Sequence, residues 1–556
     1  MHANLRDFVA ALEAAGELHR VTAAVSPILE IAEIVDRVSK QPAPRASEAA
    51  KRFDPAHHQL GGKALLFENV QGASMPLLIN ALGSYRRMEM AIGCTEGGFD
   101  ALAQRVEKLV HPEPPSGLIG KLKKLPELAK IASYPPRIVG RGVCQEVVHA
   151  IGSAAGGPNL FDLPVIKCWP HDGDLASVGW EGTAPANEGG GRYITMGAVF
   201  TIAPEDAGKP PHEPRLSRNV GMYRLQVLDA THTAMHWHMH HDGASHWRAW
   251  KAAGKPMPCA VVLGGPSVLP YAATAPLPPG ISELIFAGFL QGGPLELVPC
   301  VSPEVDLHVP ATAEIVIEGL VRTDAAGPGF EPHIEGAEAL GPGAAVEGPF
   351  GDHTGFYSLP DRYPLSEVTA ITHRHDPIYS TTIVGLPPQE DYYMGKATER
   401  VFLPLLRTIV PDVIDYDLPM FGAFHNCVFV KIAKSYPLQA RRVMHAIWGA
   451  GQMAWTKFIV VVDEDVDVHD HDAVLFHLCA NVDPHRDVEV VNGPLDILDH
   501  AAPQLGAGHK MGFDATRKID GEAVNGVAVR PWPDLIRMDA TTRRLVDQRW
   551  KEYGIG

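Results

Sequence analysis

The chain has 556 residues, 46% of them hydrophobic and 20% charged, and 48 basic against 65 acidic side chains give a net charge of −17. So apolar a composition buries large cores and excludes disorder as the main state, and the length corresponds to about two to four domains. The acidic balance argues against nucleic acid or an anionic membrane as main partner, since both need a basic face, but leaves room for one phosphate in a local pocket.

In chain order, Leu5, Phe8, Val9 and Leu12 share one helical face, and Gly16 stands where a C′ glycine ends a helix. Ser26-Pro27 predicts an N-cap and a proline at the first helical position, followed by the apolar stripe Ile28, Ile31, Val35 and Val38. Residues 40–62 read as a loop or insertion, and Lys63 to Glu68 as a buried strand. From about residue 140, short β-branched and aromatic runs alternate with Gly/Pro turns: Tyr193 to Ile202, Met222 to Leu228, Ala260 to Leu263, Ile315 to Ile317. This predicts a β-rich middle domain of barrel type. Segments 204–218 and 324–346 read as surface insertions.

Beyond about residue 365, strands and helices alternate. The run Phe458 to Val462 predicts a strand buried on both faces of a parallel sheet. Asp539 to Tyr553 predicts a terminal helix whose Leu545, Val546 and Trp550 either dock on another domain or subunit or cap their own domain. Seven cysteines (Cys94, Cys144, Cys168, Cys259, Cys300, Cys427, Cys479) form no CxxC, which points to a reducing cytoplasmic compartment. The N-terminus from Met1 to Asp7 has no signal-peptide character, and no stretch approaches 18 uninterrupted apolar residues.

Three clusters carry chemistry. In His236-Trp237-His238-Met239-His240-His241-Asp242, alternate histidines would share a strand face and could bind a transition metal, or be ordinary hydrogen-bonded rings. In Asn219-Val220-Gly221-Met222-Tyr223-Arg224, the amide oxygen suits a hard cation. The Arg224 fork suits a carboxylate or phosphate, or a structural ion pair. In Glu347 to Gly355, Glu347 and Asp352 bracket a turn. Paired carboxylates raise one another's pKa, which would keep one protonated as a general acid; two solvated turn acids are the alternative.

Together these clusters, with Lys396-Ala397-Thr398-Glu399-Arg400 and Lys510 to Arg517, resemble the UbiD family of decarboxylases, which use prenylated flavin mononucleotide (FMN). The resemblance implies an α/β (α+β) fold. Its parts would be an N-terminal α/β domain over 1–135, a central split β-barrel holding the flavin over 136–360, a C-terminal α/β domain over 361–530, and a final helix over 531–556 in inter-subunit contact. It implies Asn219, His240 and Glu283 as ligands of manganese or magnesium, with potassium often alongside. Met222, Tyr223, Arg224, Trp237, His240 or His241, Asp242 and Lys431 would contact the flavin or its phosphate. Arg224, Glu347 and Asp352 would be catalytic, with Asp352 as proton donor.

The implied activity is reversible non-oxidative decarboxylation of an aromatic or α,β-unsaturated acid by a cytoplasmic homodimer or homohexamer, its cofactor supplied by a prenyl-flavin synthase. The stretches Gly62 to Val70, Trp448 to Met453 and Gly493 to Asp496 are similar to members annotated for menaquinone biosynthesis, which act on a dihydroxynaphthoate. A polyprenyl-hydroxybenzoate decarboxylase of ubiquinone biosynthesis and a catabolic aromatic-acid enzyme are the alternatives within the family. A flavin-independent metallohydrolase and an inactive flavin-binding homologue are the alternatives outside it.

Overall fold

Helix Leu5–Ala14 begins at Asn4, whose side chain accepts from the Asp7 amide, and buries the four residues of the expected stripe. The computed structural model describes residues 1–111, 129–153, 156–179, 187–210, 213–278, 281–325, 341–522 and 529–555. The second helix, Glu30–Ser39, starts later than Ser26-Pro27 predicts. The Leu29 amide donates to the Lys167 carbonyl, and the Lys167 amide to the Pro27 carbonyl. A tertiary ladder therefore takes the backbone groups that the helix would have used, and Ile28 pairs with Lys167 instead. Residues 40–62 are a packed loop rather than an appended insertion. Phe53 is buried against Tyr85 and Phe99, and Asp54 accepts from the hydroxyls of Tyr85 and Tyr392.

Strand Ala64–Phe67, buried throughout, pairs with Leu18–Val21 and Leu77–Ile79. The fourth strand of this sheet, Tyr379–Ser380, comes from far along the chain. The following helix, Glu390–Val401, contributes Tyr392, Tyr393, Met394 and Ala397 to the N-terminal core. Beyond residue 361 the chain therefore crosses back over the N-terminal layer before it enters the C-terminal sheet.

The middle of the chain closes into a barrel of six antiparallel strands: Ile315–Val321, Met257–Leu263, Tyr193–Thr201, Asn219–Val227, His232–Met235 and Asp361–His373. Closure removes the unpaired edges that an open sheet would expose. Strand Asp361–His373 lies beyond the expected domain limit at 360 and also pairs with Ala344–Glu347 and Val147–Ala150. The expected insertion at 204–218 is anchored where it is described: Arg215 is buried and pairs with Asp306. Most of 324–346 lies outside the described residues, and its end forms strand Ala344–Glu347.

The C-terminal sheet has the order Val413–Asp417, Cys427–Ile432, Phe458–Asp463, Ala507–Asp514, Val488–Pro494. Strand Phe458–Asp463 is central and parallel to both neighbours. Ile459 and Val461 pack with helix Gln439–Trp448, and Val460 and Val462 pack with Val474 of helix His471–Asn481. Burying each branched side chain contributes about 1.5–3 kcal/mol, so both faces demand a cover. The Lys396 to Arg400 motif ties this domain to the rest. The Lys396 ammonium donates to Glu399 at 2.7 Å and Asp417 at 2.6 Å, and Arg400 donates to Asp415 and to the Tyr416 carbonyl.

Helix Ala540–Arg549 is capped by Asp539 and buries none of its residues. Leu545 and Trp550 stay half exposed, so the helix does not cap its own domain. All seven cysteines are free, and among the described residues no helix is long and apolar enough to cross a membrane.

Candidate active site

Arg224 lies on strand Asn219–Val227, Glu347 ends strand Ala344–Glu347, and Asp352 sits in the turn beyond. All three are buried. Arg224 Nε and Nη2 donate to the two oxygens of Glu347 at 2.8 and 2.9 Å, while Nη1 donates to Asp352. Nη2 also donates to the Ser358 hydroxyl at 3.1 Å, and the Phe350 ring lies 4.6 Å from the guanidinium carbon. His236 Nδ1 is 2.7 Å from Glu347, so a second group braces that carboxylate.

The turn is held from three sides. The Gly348 amide donates to Gln226, the Tyr193 hydroxyl donates to the Gly348 carbonyl, and the Gly351 amide donates to Asp172. Asp172 also accepts from the Trp169 amide at 2.8 Å, and burial pushes its pKa up to about 7.

The electrostatics correct one expectation. Burial alone would raise the pKa of Glu347, but the Arg224 charge, helped by His236, outweighs it and holds the acid at about 2. Burial acts the same way on Asp352, and Arg224 with His353 holds it well below the usual carboxylate range. The two acids do not raise one another, because an arginine fork lies between them. Both rest ionised. For His353, burial would lower the pKa, but Asp352 overrides it, and Asp496 and Asp391 add to push it up to about 9.

The implied metal ligands are brought together in part. Glu283 opens helix Glu283–Gln291 and accepts from the Val220 amide at 3.0 Å, beside Asn219. It is buried, and burial pushes its pKa up to about 7, with Asp242 opposing its charge further. The Tyr223 phenol interacts with Asn219 and with the Gly243 backbone in the same place. A buried carboxylate and an amide in an acidic setting are a donor set that fits a hard divalent cation. The His240 ring stacks on Trp455 of the C-terminal domain at 4.1 Å. Nitrogens of His238, His240 and His241 lie within 4.8 Å of one another. Two of these rings are already engaged, His238 Nε2 with His236 Nε2 at 2.9 Å and His241 Nδ1 with the His238 amide.

The expected flavin-lining residues form one wall. Tyr223 packs edge-on to Trp237 and tilted to His241. Trp237 is fully buried, yet its Nε1 has no hydrogen-bond partner. A Cβ at Gly243 would stand 2.7 Å from that nitrogen, and one at Gly221 would stand 2.4 Å from the Tyr223 ring. The wall thus keeps an orphaned donor and two glycine approaches, a fit for a planar polar ring system. Asp242 starts helix Asp242–Ala252, whose amide terminus suits an anion. Lys431 lies elsewhere, on the C-terminal sheet between Asp415 and Val462.

Several residues at this site carried no assigned role in the sequence: His236, His353, Ser358, Tyr193, Gln226 and Asp172. Only His236 had a usable signal, its alternation with His238 and His240, and its ring does contact His238.

Comparison with known proteins matches the whole architecture. The 3-octaprenyl-4-hydroxybenzoate carboxy-lyase N-terminal domain matches residues 9–106, its Rift-related domain 137–387 and its C-terminal domain 392–515. An uncharacterized protein of Aquifex aeolicus is 44% identical over 552 residues, 99% of each chain. The vanillic acid decarboxylase of Sedimentibacter hydroxybenzoicus, in closed form, aligns with a TM-score of 0.74 at 25% identity, covering 100% of both chains. The UbiD-class enzyme HmfF of Pelotomaculum thermopropionicum, in an evolved dimeric form with prenylated FMN, aligns at 0.66 and 25% identity over 93% of this chain and 95% of its own. With an arginine locked between two buried acids on the barrel of this fold, the chain belongs to the UbiD family of carboxy-lyases.

Proposed function

We propose that the protein carries out reversible, non-oxidative decarboxylation of an aromatic or α,β-unsaturated carboxylic acid with prenylated FMN. The observation that carries this reading is the Arg224 fork, bound through two donors to Glu347 and through the third to Asp352. A substrate carboxylate can replace Asp352 at Nη1 without disturbing the bidentate pair. Glu347, braced by His236, keeps the fork in plane. Released from its counter-charge, Asp352 can take up a proton and deliver it to the carbon that carried the carboxylate. Bound on the Tyr223–Trp237 wall, prenylated FMN would supply the electron sink. Asn219, Glu283 and His240 would hold manganese or magnesium, which would neutralise the cofactor phosphate, with potassium as a second ion. Met222, His241 and Asp242 complete the contacts. Lys431, half-buried on strand Cys427–Ile432 of the C-terminal domain, would be the remaining contact to the phosphate.

The family likeness of Gly493 to Asp496 favours a dihydroxynaphthoate of menaquinone biosynthesis, and Asp496 lies near His425 at the edge of the catalytic turn. The half-exposed Leu545 and Trp550 support a homo-oligomer in which the terminal helix docks on a second copy. The test is co-expression with a prenyl-flavin synthase, then absorbance and mass of the bound flavin. Carbon dioxide release from a panel of dihydroxynaphthoate, hydroxybenzoates and vanillate follows. A colourless protein without flavin mass would refute the reading, and bound transition metal without flavin would favour a hydrolase.

A further inference from the structure

Decarboxylation consumes a proton: one carboxylate and one proton become one carbon dioxide and one C–H bond. Asp352 rests ionised, so each turnover must load it from another group. His353 Nδ1 lies 2.8 Å from Asp352 Oδ1, the oxygen that also accepts from the His353 amide. His353 Nε2 is 2.7 Å from His425 Nε2, a distance that requires one proton between the two nitrogens. His425 Nε2 in turn is 3.8 Å from Asp496. Asp352 and His353 belong to the turn after the barrel strand. His425 precedes strand Cys427–Ile432 and Asp496 follows strand Val488–Pro494, both in the C-terminal domain. The His353 and His425 side chains keep 16% and 21% of their exposure against 8% for Asp352, so solvent meets the pair before it meets the acid. Phe424 stacks on His353 and fixes its ring. The charged groups facing the pair are Asp352, Asp391 and Asp496, with Arg224 behind Asp352.

We propose that His353 and His425 are positioning residues that form a proton relay, loading Asp352 from solvent at the exposed side of the pair. The inference rests on Asp352 being the proton donor. The loaded relay carries one proton beyond two neutral imidazoles, which His353 holds 2.8 Å from the Asp352 carboxylate. When a substrate carboxylate takes Arg224 Nη1, the N–H bond at His353 Nδ1 breaks and an O–H bond forms on Asp352. That O–H bond breaks as the C–H bond forms on the substrate. Solvent then returns one proton to the pair through the partly exposed His425. No electrons are exchanged with an outside group.

Two measurements test the relay. The first needs no substrate: histidine Cε1 hydrogen–deuterium exchange of the full chain, read by mass spectrometry across pH. His353 is expected to titrate well above His425, and His425→Asn or Asp352→Asn should lower the His353 midpoint. If both rings titrate at the ordinary histidine value and ignore these substitutions, the relay is wrong. The second uses flavin-loaded enzyme with a dihydroxynaphthoate, vanillate and the hydroxybenzoates. His425→Asn should cut steady-state carbon dioxide release about 10- to 100-fold, leave the single-turnover rate unchanged, and be rescued by added imidazole. His425→Gln, close in shape, should behave alike. Equal loss in both regimes without rescue would mean a structural role and overturn the proposal. If the wild type acts on none of these acids, the proposed substrate class fails, and the exchange measurement alone decides the relay.

Discussion

Arg224 binds Glu347 through two donors at 2.8 and 2.9 Å and reaches Asp352 with a third, so one guanidinium neutralises both acids of the turn. Its planar, five-donor fork makes this possible; a lysine ammonium presents a point charge instead. Arg224→Lys should therefore fold but lose at least about 100-fold in carbon dioxide release. Arg224→Ala leaves two buried carboxylates with only His236 and His353 as charged partners and should cost about 3–5 kcal/mol of stability, read as a fall in thermal midpoint.

The same pair sets an acid limit. Glu347 is held at about 2 in the folded chain against 4.5 for an ordinary glutamate. A depressed folded pKa contributes stability above the unfolded value, and that contribution is lost as pH falls through the folded one. The difference in thermal midpoint between wild type and Glu347→Gln should thus be constant above about pH 5 and shrink between about pH 4.5 and 2.

Glu283 offers a buried carboxylate with no basic partner among its described contacts. Manganese added to the purified protein should raise the thermal midpoint by binding the native state alone. Glu283→Gln should abolish that rise. A rise that survives it would place the ion elsewhere, with the three histidines next in line.

Gly221 and Gly243 leave the space that the Tyr223–Trp237 wall needs. Gly221→Ala would press a methyl group against the Tyr223 ring and should reduce flavin content of the co-expressed protein, while a change on the far barrel surface should not. The measurement is flavin absorbance per chain.

Lys396 answers Glu399 and Asp417, both buried, and His469 adds a further contact to Asp417. Lys396→Met should lower the thermal midpoint sharply, since removing one member of a buried network costs about 3–5 kcal/mol. Without Lys396, Glu399, Asp417 and His469 resemble a metal set, and the lysine already supplies the positive charge there.

Much of this was legible in the sequence because it is local. The Leu5 to Leu12 stripe, the doubly buried Phe458 to Val462 run and the barrel strands are periodicities of side-chain burial, and periodicity survives without coordinates. Arg224, Glu347 and Asp352 stand within short ordered motifs whose resemblance to a family is enough to single them out. The crossing of Tyr379–Ser380 into the N-terminal sheet was not legible, because a two-residue strand has no pattern. Nor was the delayed start of helix Glu30–Ser39, where a distant strand pair outbids a capping signal.

The sequence by itself determined the fold class, the family and the candidate trio of Arg224, Glu347 and Asp352, since hydrophobic spacing and residue wording are properties of neighbours along the chain. Only the tertiary structure decided the charge state of that trio. It put Arg224 between the two acids, which reverses their expected mutual repulsion. It also turned His240 toward Trp455 and left Lys431 in another domain. And it set His353 against His425, with 71 residues between them, because a proton moves across a distance in space that the order of residues does not encode.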